Sequence, residues 1–245
     1  MDVVFGLGSG RCGTTSLAAL LNRQPGVCCF HELAPSVMAW EGAEATVGSL
    51  LRDFRQIADG GERWVTADRV VPDRKQGLER LVSLDRVTAL GDVASYYLPY
   101  VAFILEQVPH ARFPALKRDR DETVVSFARK LTDHGVEVKR RWRQPKKIRN
   151  HWLPAPQKGW ETDLVWDKNF PAFELPQGSA LEDYICRYYD LYYAKLNETA
   201  AAWPEHVRVF GLDQMTTEAG RREILEFCLP GRAHVDFDAH LNKGS

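Results

Sequence analysis

No run of apolar residues in the 245-residue sequence is long enough to cross a membrane. The first apolar run begins at residue 2 with no basic segment before it, which is not the pattern of a secretion signal. No internal repeat or low-complexity segment interrupts the chain. These absences predict a cytoplasmic protein without a membrane span, and the length fits one α/β domain.

An excess of charge of one sign and a pattern of paired cysteines are also missing. The 32 Lys and Arg residues nearly balance the 33 Asp and Glu residues, so the net charge is −1. A general nucleic-acid binder would be basic overall, so we expect no nucleic-acid partner. Five cysteines occur without a Cys-x-x-Cys pair. This pattern favours reduced thiols over a disulfide framework and argues against a zinc site.

Glycine, in contrast, is concentrated near the start of the chain. The apolar run 2–7 predicts a buried strand, and glycines occupy positions 6, 8, 10 and 13. Residues 14–21 then have the apolar spacing of a helix. A strand, a glycine loop and a helix N-terminus in succession are typical of a phosphate-binding loop. The loop amides and the first helical amides all direct partial positive charge at an anion.

This loop lacks the lysine of an ordinary nucleoside-triphosphate site. In the Walker A pattern a Lys directly follows the last Gly, whereas Thr14 follows Gly13 here. Arg11, inside the loop, is the nearby cation. We therefore expect the loop to hold a phosphate without the chemistry of ATP and magnesium. A nucleotide-dependent kinase with a degenerate P-loop is one alternative, and a tight turn that binds nothing is another.

The segment Gly10-Arg11-Cys12-Gly13-Thr14-Thr15 resembles the 5′-phosphosulfate-binding loop of the PAPS-dependent sulfotransferases, where PAPS is 3′-phosphoadenosine-5′-phosphosulfate. The resemblance implies a three-layer α/β/α fold with a central parallel sheet. It also implies transfer of a sulfuryl group from PAPS to an acceptor hydroxyl or amine, without a metal and with 3′-phosphoadenosine-5′-phosphate (PAP) as product. The loop residues expected to bind the nucleotide are Gly10, Arg11, Cys12, Gly13, Thr14, Thr15 and Ser16, and Arg11 is also expected to act in catalysis.

A second short apolar run, 27–30, predicts a strand that ends at His31 and Glu32. Ligands gather at the carboxyl ends of strands in a parallel sheet, so a carboxylate there is a candidate general base. In the tyrosylprotein branch of the sulfotransferases a Glu acts as base, and Glu32 lies at the matching offset from Arg11. Many cytosolic members use a His instead, so His31 is the alternative base.

The resemblance extends to a second segment downstream. In the family, an Arg just after a strand and a Ser eight residues later hold the nucleotide 3′-phosphate. Arg118 and Ser126 have this spacing after the strand predicted at 113–116. Lys130 adds a cation one turn further on, as in the tyrosylprotein branch. Alone, the charged run 117–122 would indicate a solvated loop, but the order of the two motifs favours a nucleotide site.

One part of the family pattern is missing. Many sulfotransferases carry a Lys that steadies the sulfuryl group near a strand end. Here the strand predicted at 87–90 is followed by a segment without Lys, which contains Asp92 and Ser95. Either of these side chains could face the site or cap a helix. The missing Lys also leaves a non-catalytic nucleotide-binding module as an alternative function.

Within the single predicted domain, 1–245, residues 138–180 depart from the alternation of predicted strands and helices. They are basic at first and then rich in Trp and Pro, so we expect a lid or an acceptor-binding insertion. In the tail, Lys243 is expected to close over the nucleotide. The tyrosines of the helix predicted at 181–202 are interpreted mainly as packing residues. The sequence leaves the acceptor open among small molecules, glycans and peptides, and it also leaves the oligomeric state open.

Overall fold

The computed structural model of the chain describes residues 1–67, 72–137, 148–152 and 160–236. Short 3-10 helical segments span Ser95–Tyr100, Asp167–Asn169 and Leu212–Thr216. In chain order, the elements are β1 (Asp2–Gly6), α1 (Thr14–Asn22), β2 (Val27–His31), α2 (Glu44–Ala58), α3 (Pro72–Ser83), β3 (Ala89–Val93), α4 (Val101–Gln107), β4 (Phe113–Lys117), α5 (Arg120–Glu137), β5 (Ile148–Arg149), β6 (Trp160–Glu161), α6 (Leu181–Ala202), β7 (Val207–Gly211) and α7 (Glu218–Cys228).

Parallel strands form the centre of the molecule. β3 lies between β1 and β2 and pairs with both in parallel, and β4 pairs in parallel with β7. Two bridges join β1 to the β4 side, where Phe5 N–H donates to Arg112 O at 2.9 Å and Leu7 N–H donates to Pro114 O at 2.8 Å. The strand order is therefore β2-β3-β1-β4-β7. All five strands present their carboxyl ends at the same edge.

Helices cover both faces of this sheet. Alternate residues of a strand point to opposite faces. On β1, Val3 and Phe5 join the apolar core that contains residues of α2, α4, α5 and α6. Val4 joins the second core, which α1 and α7 supply. The result is a three-layer α/β/α fold with a central parallel sheet, which confirms the fold expected from the sequence.

The third strand in the chain differs from its prediction. It runs Ala89–Val93 and includes Asp92, whereas the sequence predicted an end at Leu90. Asp is disfavoured in strands by local preference. Here β3 is the middle strand of its group, and Asp92 is in register with Phe5 on one neighbour and Phe30 on the other. Pairing on both sides therefore overrides the local preference.

Candidate active site

A cleft of about 890 Å³ lies at the carboxyl edge of the sheet. The loop after β1, the end of β2, the first turns of α5 and part of segment 149–170 form its walls. Most of the predicted site residues meet there, although Lys243 lies outside the described residues. The predicted residues that line the cleft are Gly10, Arg11, Gly13, Thr14, Thr15, Ser16, His31, Glu32, Arg118, Ser126 and Lys130.

The glycine loop leads directly into the N-terminus of α1. Gly13 occupies the position before the helix with φ of 97°, a left-handed conformation that favours glycine. A Cβ atom at this position would also come within 2.5 Å of Leu212 Cδ1, so the tip of the Leu212 side chain would have to shift. No side chain in the described part of the chain caps the N-terminus of α1. The amides of the first helical turn therefore keep their capacity to bind an anion.

Arg11 connects the loop to α5. Its Nε donates to Ser126 Oγ at 3.1 Å, and Arg118 Nη1 donates to Arg11 O at 3.4 Å. Burial lowers the pKa of Arg11, the neighbouring Arg118 guanidinium lowers it further, and Glu32 acts in the opposite direction. Arginine nevertheless stays charged in proteins. Two partly desolvated cations near one another make this part of the cleft suitable for an anion.

Cys12 differs from the other loop residues expected to bind the nucleotide, because its side chain points away from the cleft. Its side chain is fully buried in the core under α1 and does not line the cleft, so it is not a ligand-facing group. Burial raises the pKa of the Cys12 thiol, which favours the neutral form. Only the backbone of Cys12 is available for a phosphate. The spacing of the motif does not distinguish a backbone role from a side-chain role.

His31 and Glu32 both line the cleft at the end of β2. His31 Nε2 lies 3.1 Å from Thr14 Oγ1 and 3.4 Å from Thr15 Oγ1. His31 Nδ1 lies 3.9 Å from Glu32 Oε2, which is too long for a hydrogen bond. Because β2 and β1 run in the same direction, His31 lies beside the loop hydroxyls and Glu32 lies in the same cleft.

Asp92 does not face the cleft, and the expectation that it could is corrected. Its side chain is fully buried, and its Oδ2 accepts from Tyr97 Oη at 2.7 Å and from Leu33 N at 3.0 Å. Burial raises the pKa of the Asp92 carboxyl. Ser95 does line the cleft. Neither side chain caps the 3-10 segment Ser95–Tyr100 that follows.

Three tyrosines of α6 hold the backbone of the site, a role that sequence reasoning missed. Tyr192 Oη accepts from Gly8 N at 2.9 Å, and Tyr193 Oη donates to Leu116 O at 2.8 Å. Tyr189 Oη donates to Arg118 O at 2.6 Å. Their rings pack in the core as predicted, but their hydroxyls also bind the segments that carry the two motifs. The only sequence signal was the clustering of four tyrosines within positions 188–193.

The described part of segment 138–180 packs on α5 and α6. Trp152 is 3% exposed and lies among aromatic rings, with Phe127 at 5.8 Å and Tyr188 at 5.2 Å between ring centroids. Trp166 and Phe170 line the cleft instead. The basic residues 139–147 and Trp142 lie outside the described residues. Among the described tryptophans of the predicted insertion, Trp166 is therefore the one placed to meet a ligand.

Two features are absent from the described ranges. No helix there is long and apolar enough to cross a membrane. No group of three or more His, Cys, Asp or Glu side chains in those ranges is arranged to hold a metal ion.

Comparison with known proteins identifies the family. The model of the Sulfotransferase family matches residues 3–196, and the chain belongs to this family of transferases. A search of curated proteins found no match. One similar solved structure is a sulfotransferase from Alicyclobacillus acidocaldarius, with 14% identity, a TM-score of 0.43, and coverage of 93% of this chain and 81% of that chain. Another is the sulfotransferase domain from the curacin biosynthetic pathway, with 10% identity, a TM-score of 0.42, and coverage of 97% and 81%.

Proposed function

We propose that this protein transfers a sulfuryl group from PAPS to an acceptor hydroxyl or amine. The observation that carries the proposal is the 3.1 Å hydrogen bond from Arg11 Nε to Ser126 Oγ, between residues 115 positions apart. It joins the two segments that resemble the phosphate-binding motifs of the family. Arg118 and Lys130 line the same cleft. One cleft thus offers cations and hydroxyls to both phosphates of a 3′-phosphorylated adenosine nucleotide.

In this proposal, the loop stabilises the leaving group. Arg11 and the amides of residues 12–16 neutralise the charge that develops on the departing 5′-phosphate. The hydroxyls of Thr14 and Thr15, which lie within 3.4 Å of His31 Nε2, donate further hydrogen bonds. Arg118 and Ser126 bind the 3′-phosphate and so discriminate against ATP. Binding both substrates in one cleft also removes much of the entropic barrier to their reaction.

Glu32 acts as the general base in the proposed reaction. It takes the proton from the acceptor as the acceptor oxygen or nitrogen attacks sulfur, and the S–O bond to the 5′-phosphate breaks with its electron pair leaving on PAP. The Glu32 carboxylate lines the cleft and makes no hydrogen bond to another described residue. His31 Nε2, in contrast, already contacts two hydroxyls. His31 is the alternative base.

Titration calorimetry without magnesium tests the nucleotide assignment. We expect PAP to bind far more tightly than ATP, and equal affinities would overturn the assignment of the two phosphates. Labelled PAPS is then incubated with a panel containing a phenol, a tyrosine peptide, an amino sugar and a long-chain alcohol. Transfer to any of these supports the enzyme. Tight PAP binding with no transfer to the whole panel would favour the non-catalytic nucleotide-binding module.

A further inference from the structure

The backbone of Glu32 has an unusual conformation. Its φ is 54°, in the left-handed region, and among the described non-glycine residues only Arg11, with φ of 58°, shares a positive φ. A Cβ atom makes this region unfavourable. Residues persist there only where the surrounding structure overdetermines them, and such residues cluster at functional sites. The contacts that hold Glu32 in place therefore require an explanation.

The peptide between Glu32 and Leu33 is held from both sides. Glu32 O accepts a hydrogen bond from Arg74 Nε, and Leu33 N donates to Asp92 Oδ2 at 3.0 Å. Glu32 N also donates to Val93 O at 3.1 Å, which continues the pairing of β2 with β3. The main-chain groups around the Glu32 Cα are thus fixed by α3 on one side and by β3 on the other. We name these contacts the Glu32–Leu33 clamp.

Both side chains of the clamp are costly to bury. Arg74 is 4% exposed, and Asp92 is fully buried. Asp92 Oδ1 has no hydrogen-bond partner among the described residues, and Tyr97 supplies the only other hydrogen bond to this carboxyl. Buried charges and unpaired buried acceptors reduce stability. Two such side chains bind the single Glu32–Leu33 peptide beside the cleft. A functional role therefore explains their burial better than a gain in stability does.

We propose that Arg74 and Asp92 are positioning residues, which fix the Glu32–Leu33 peptide and thereby direct the Glu32 carboxylate into the cleft. Neither residue lines the cleft. The inference rests on the proposed function in assigning proton transfer to Glu32, whereas the clamp itself is a property of the backbone. It adds two groups, on α3 and β3, to a site that the sequence analysis confined to the glycine loop, the end of β2 and α5.

Kinetics with PAPS and an acceptor from the panel tests the positioning role. Asp92→Ala removes the acceptor of the Leu33 amide, and we expect kcat to fall by about 10²-fold, the cost of a misplaced reacting group, with the Kd for PAP unchanged. Asp92→Asn retains a carbonyl oxygen at this position and should recover most of kcat. Tyr97→Phe is the matched control, because it removes the other donor to the same oxygen and should leave kcat near the wild-type value.

Hydrogen exchange of the Leu33 amide provides a readout that needs no activity. Asp92→Ala should accelerate this exchange, while Asp92→Asn and Tyr97→Phe should leave it slow. If Asp92→Ala fails to fold, Arg74→Met removes the contact on the other side of the peptide and should lower kcat without weakening PAP binding. If Asp92→Ala folds and the exchange of its Leu33 amide is unchanged, the clamp is overturned. If Asp92→Ala does not fold, an unchanged kcat in Arg74→Met overturns it.

Other outcomes separate the clamp from the proposed function. An equal loss of kcat in Asp92→Asn and Asp92→Ala would show that the charge of Asp92 acts, and would overturn the positioning role. If exchange of the Leu33 amide accelerates in Asp92→Ala while kcat is unchanged, the clamp exists but does not direct the Glu32 carboxylate. If the wild-type protein transfers nothing to the whole panel, the proposed function fails, and the Leu33 exchange result alone then decides whether the clamp exists.

Discussion

Arg11 and Ser126 share a hydrogen bond of 3.1 Å between Nε and Oγ across 115 positions of the sequence. The contact follows from the order of the strands. β1 lies next to β4, so the loop after β1 and the helix after β4 begin at the same edge of the sheet. The two motifs that the sequence contains separately therefore form the wall of one cleft.

Arg118→Ala should weaken binding of PAP by about 1.5–3 kcal/mol, because it removes a charge-assisted hydrogen bond to a phosphate. Binding of adenosine 5′-phosphosulfate, which lacks the 3′-phosphate, should change little. Titration calorimetry measures both values. Arg120→Ala is the matched control, since Arg120 pairs with Asp190 at 2.7 Å and does not line the cleft. An equal loss for both nucleotides would contradict the assignment of Arg118 to the 3′-phosphate.

Glu32→Gln should lower kcat by about 10²–10⁴-fold, the usual contribution of a general base. The amide keeps the shape of the side chain but does not accept the proton, so PAP affinity should stay nearly unchanged. His31→Ala should have a much smaller effect on kcat. The opposite ranking in steady-state kinetics would move the base to His31 and leave the other assignments in place. If neither variant is slower, proton transfer does not limit turnover or the base lies elsewhere.

Trp152→Ala should destabilise the protein by about 3–5 kcal/mol, the typical cost of removing a large aromatic ring from a core. Trp152 is buried against Phe127 and Tyr188, and it is therefore unsuitable for testing the lid predicted from the sequence. Urea unfolding measures the loss of stability.

Trp166 lines the cleft and is the better test of the predicted lid. Trp166→Ala should raise the KM for the acceptor more than the KM for PAPS. Steady-state kinetics measure both KM values, and an unchanged acceptor KM would argue against the lid.

Tyr189→Phe should weaken PAP binding by about 0.5–1.5 kcal/mol, the net value of one hydrogen bond. The Tyr189 hydroxyl holds the carbonyl of Arg118 at 2.6 Å, and its loss loosens the segment that carries the Arg118 guanidinium. Tyr184→Phe is the control on the same helix, because the Tyr184 ring packs on Trp160 and Phe173, away from both motifs. Calorimetry with PAP compares the two variants. Equal effects would indicate a general disturbance of α6.

Asp92→Asn should change how stability depends on pH. Burial raises the pKa of the Asp92 carboxyl above its ordinary value of 3.8, so the folded state retains a proton that the unfolded state releases. The proton on Asp92 therefore favours the folded wild-type protein at low pH, and this part of the free energy of unfolding is lost as pH rises from 3.8 through the folded-state pKa. The asparagine variant has no such loss. The free energy of unfolding of the variant minus that of the wild type should therefore be larger at pH 7 than at pH 4. Urea unfolding of both proteins at the two pH values measures this difference.

The sequence by itself determined the local elements and their chemistry. Glycine spacing predicted the loop between β1 and α1, because a tight strand-to-helix turn needs left-handed backbone at positions such as Gly13. Apolar periodicity predicted α6 with its observed bounds, Leu181–Ala202. The order of the two motifs was sufficient to indicate the sulfotransferases, to which the family comparison assigns the chain.

Only the tertiary structure decided which of these residues meet, and in which role. Cys12 faces the core, Asp92 lies inside β3, and Trp152 packs in the core against Phe127 and Tyr188. Tyr192 and Arg74 reach site segments that are distant in sequence. Periodicity and spacing determine which residues share one face of one element, because they follow from the geometry of a single helix or strand. The neighbour that this face meets depends on strand order and on packing across the whole chain, which local patterns do not contain.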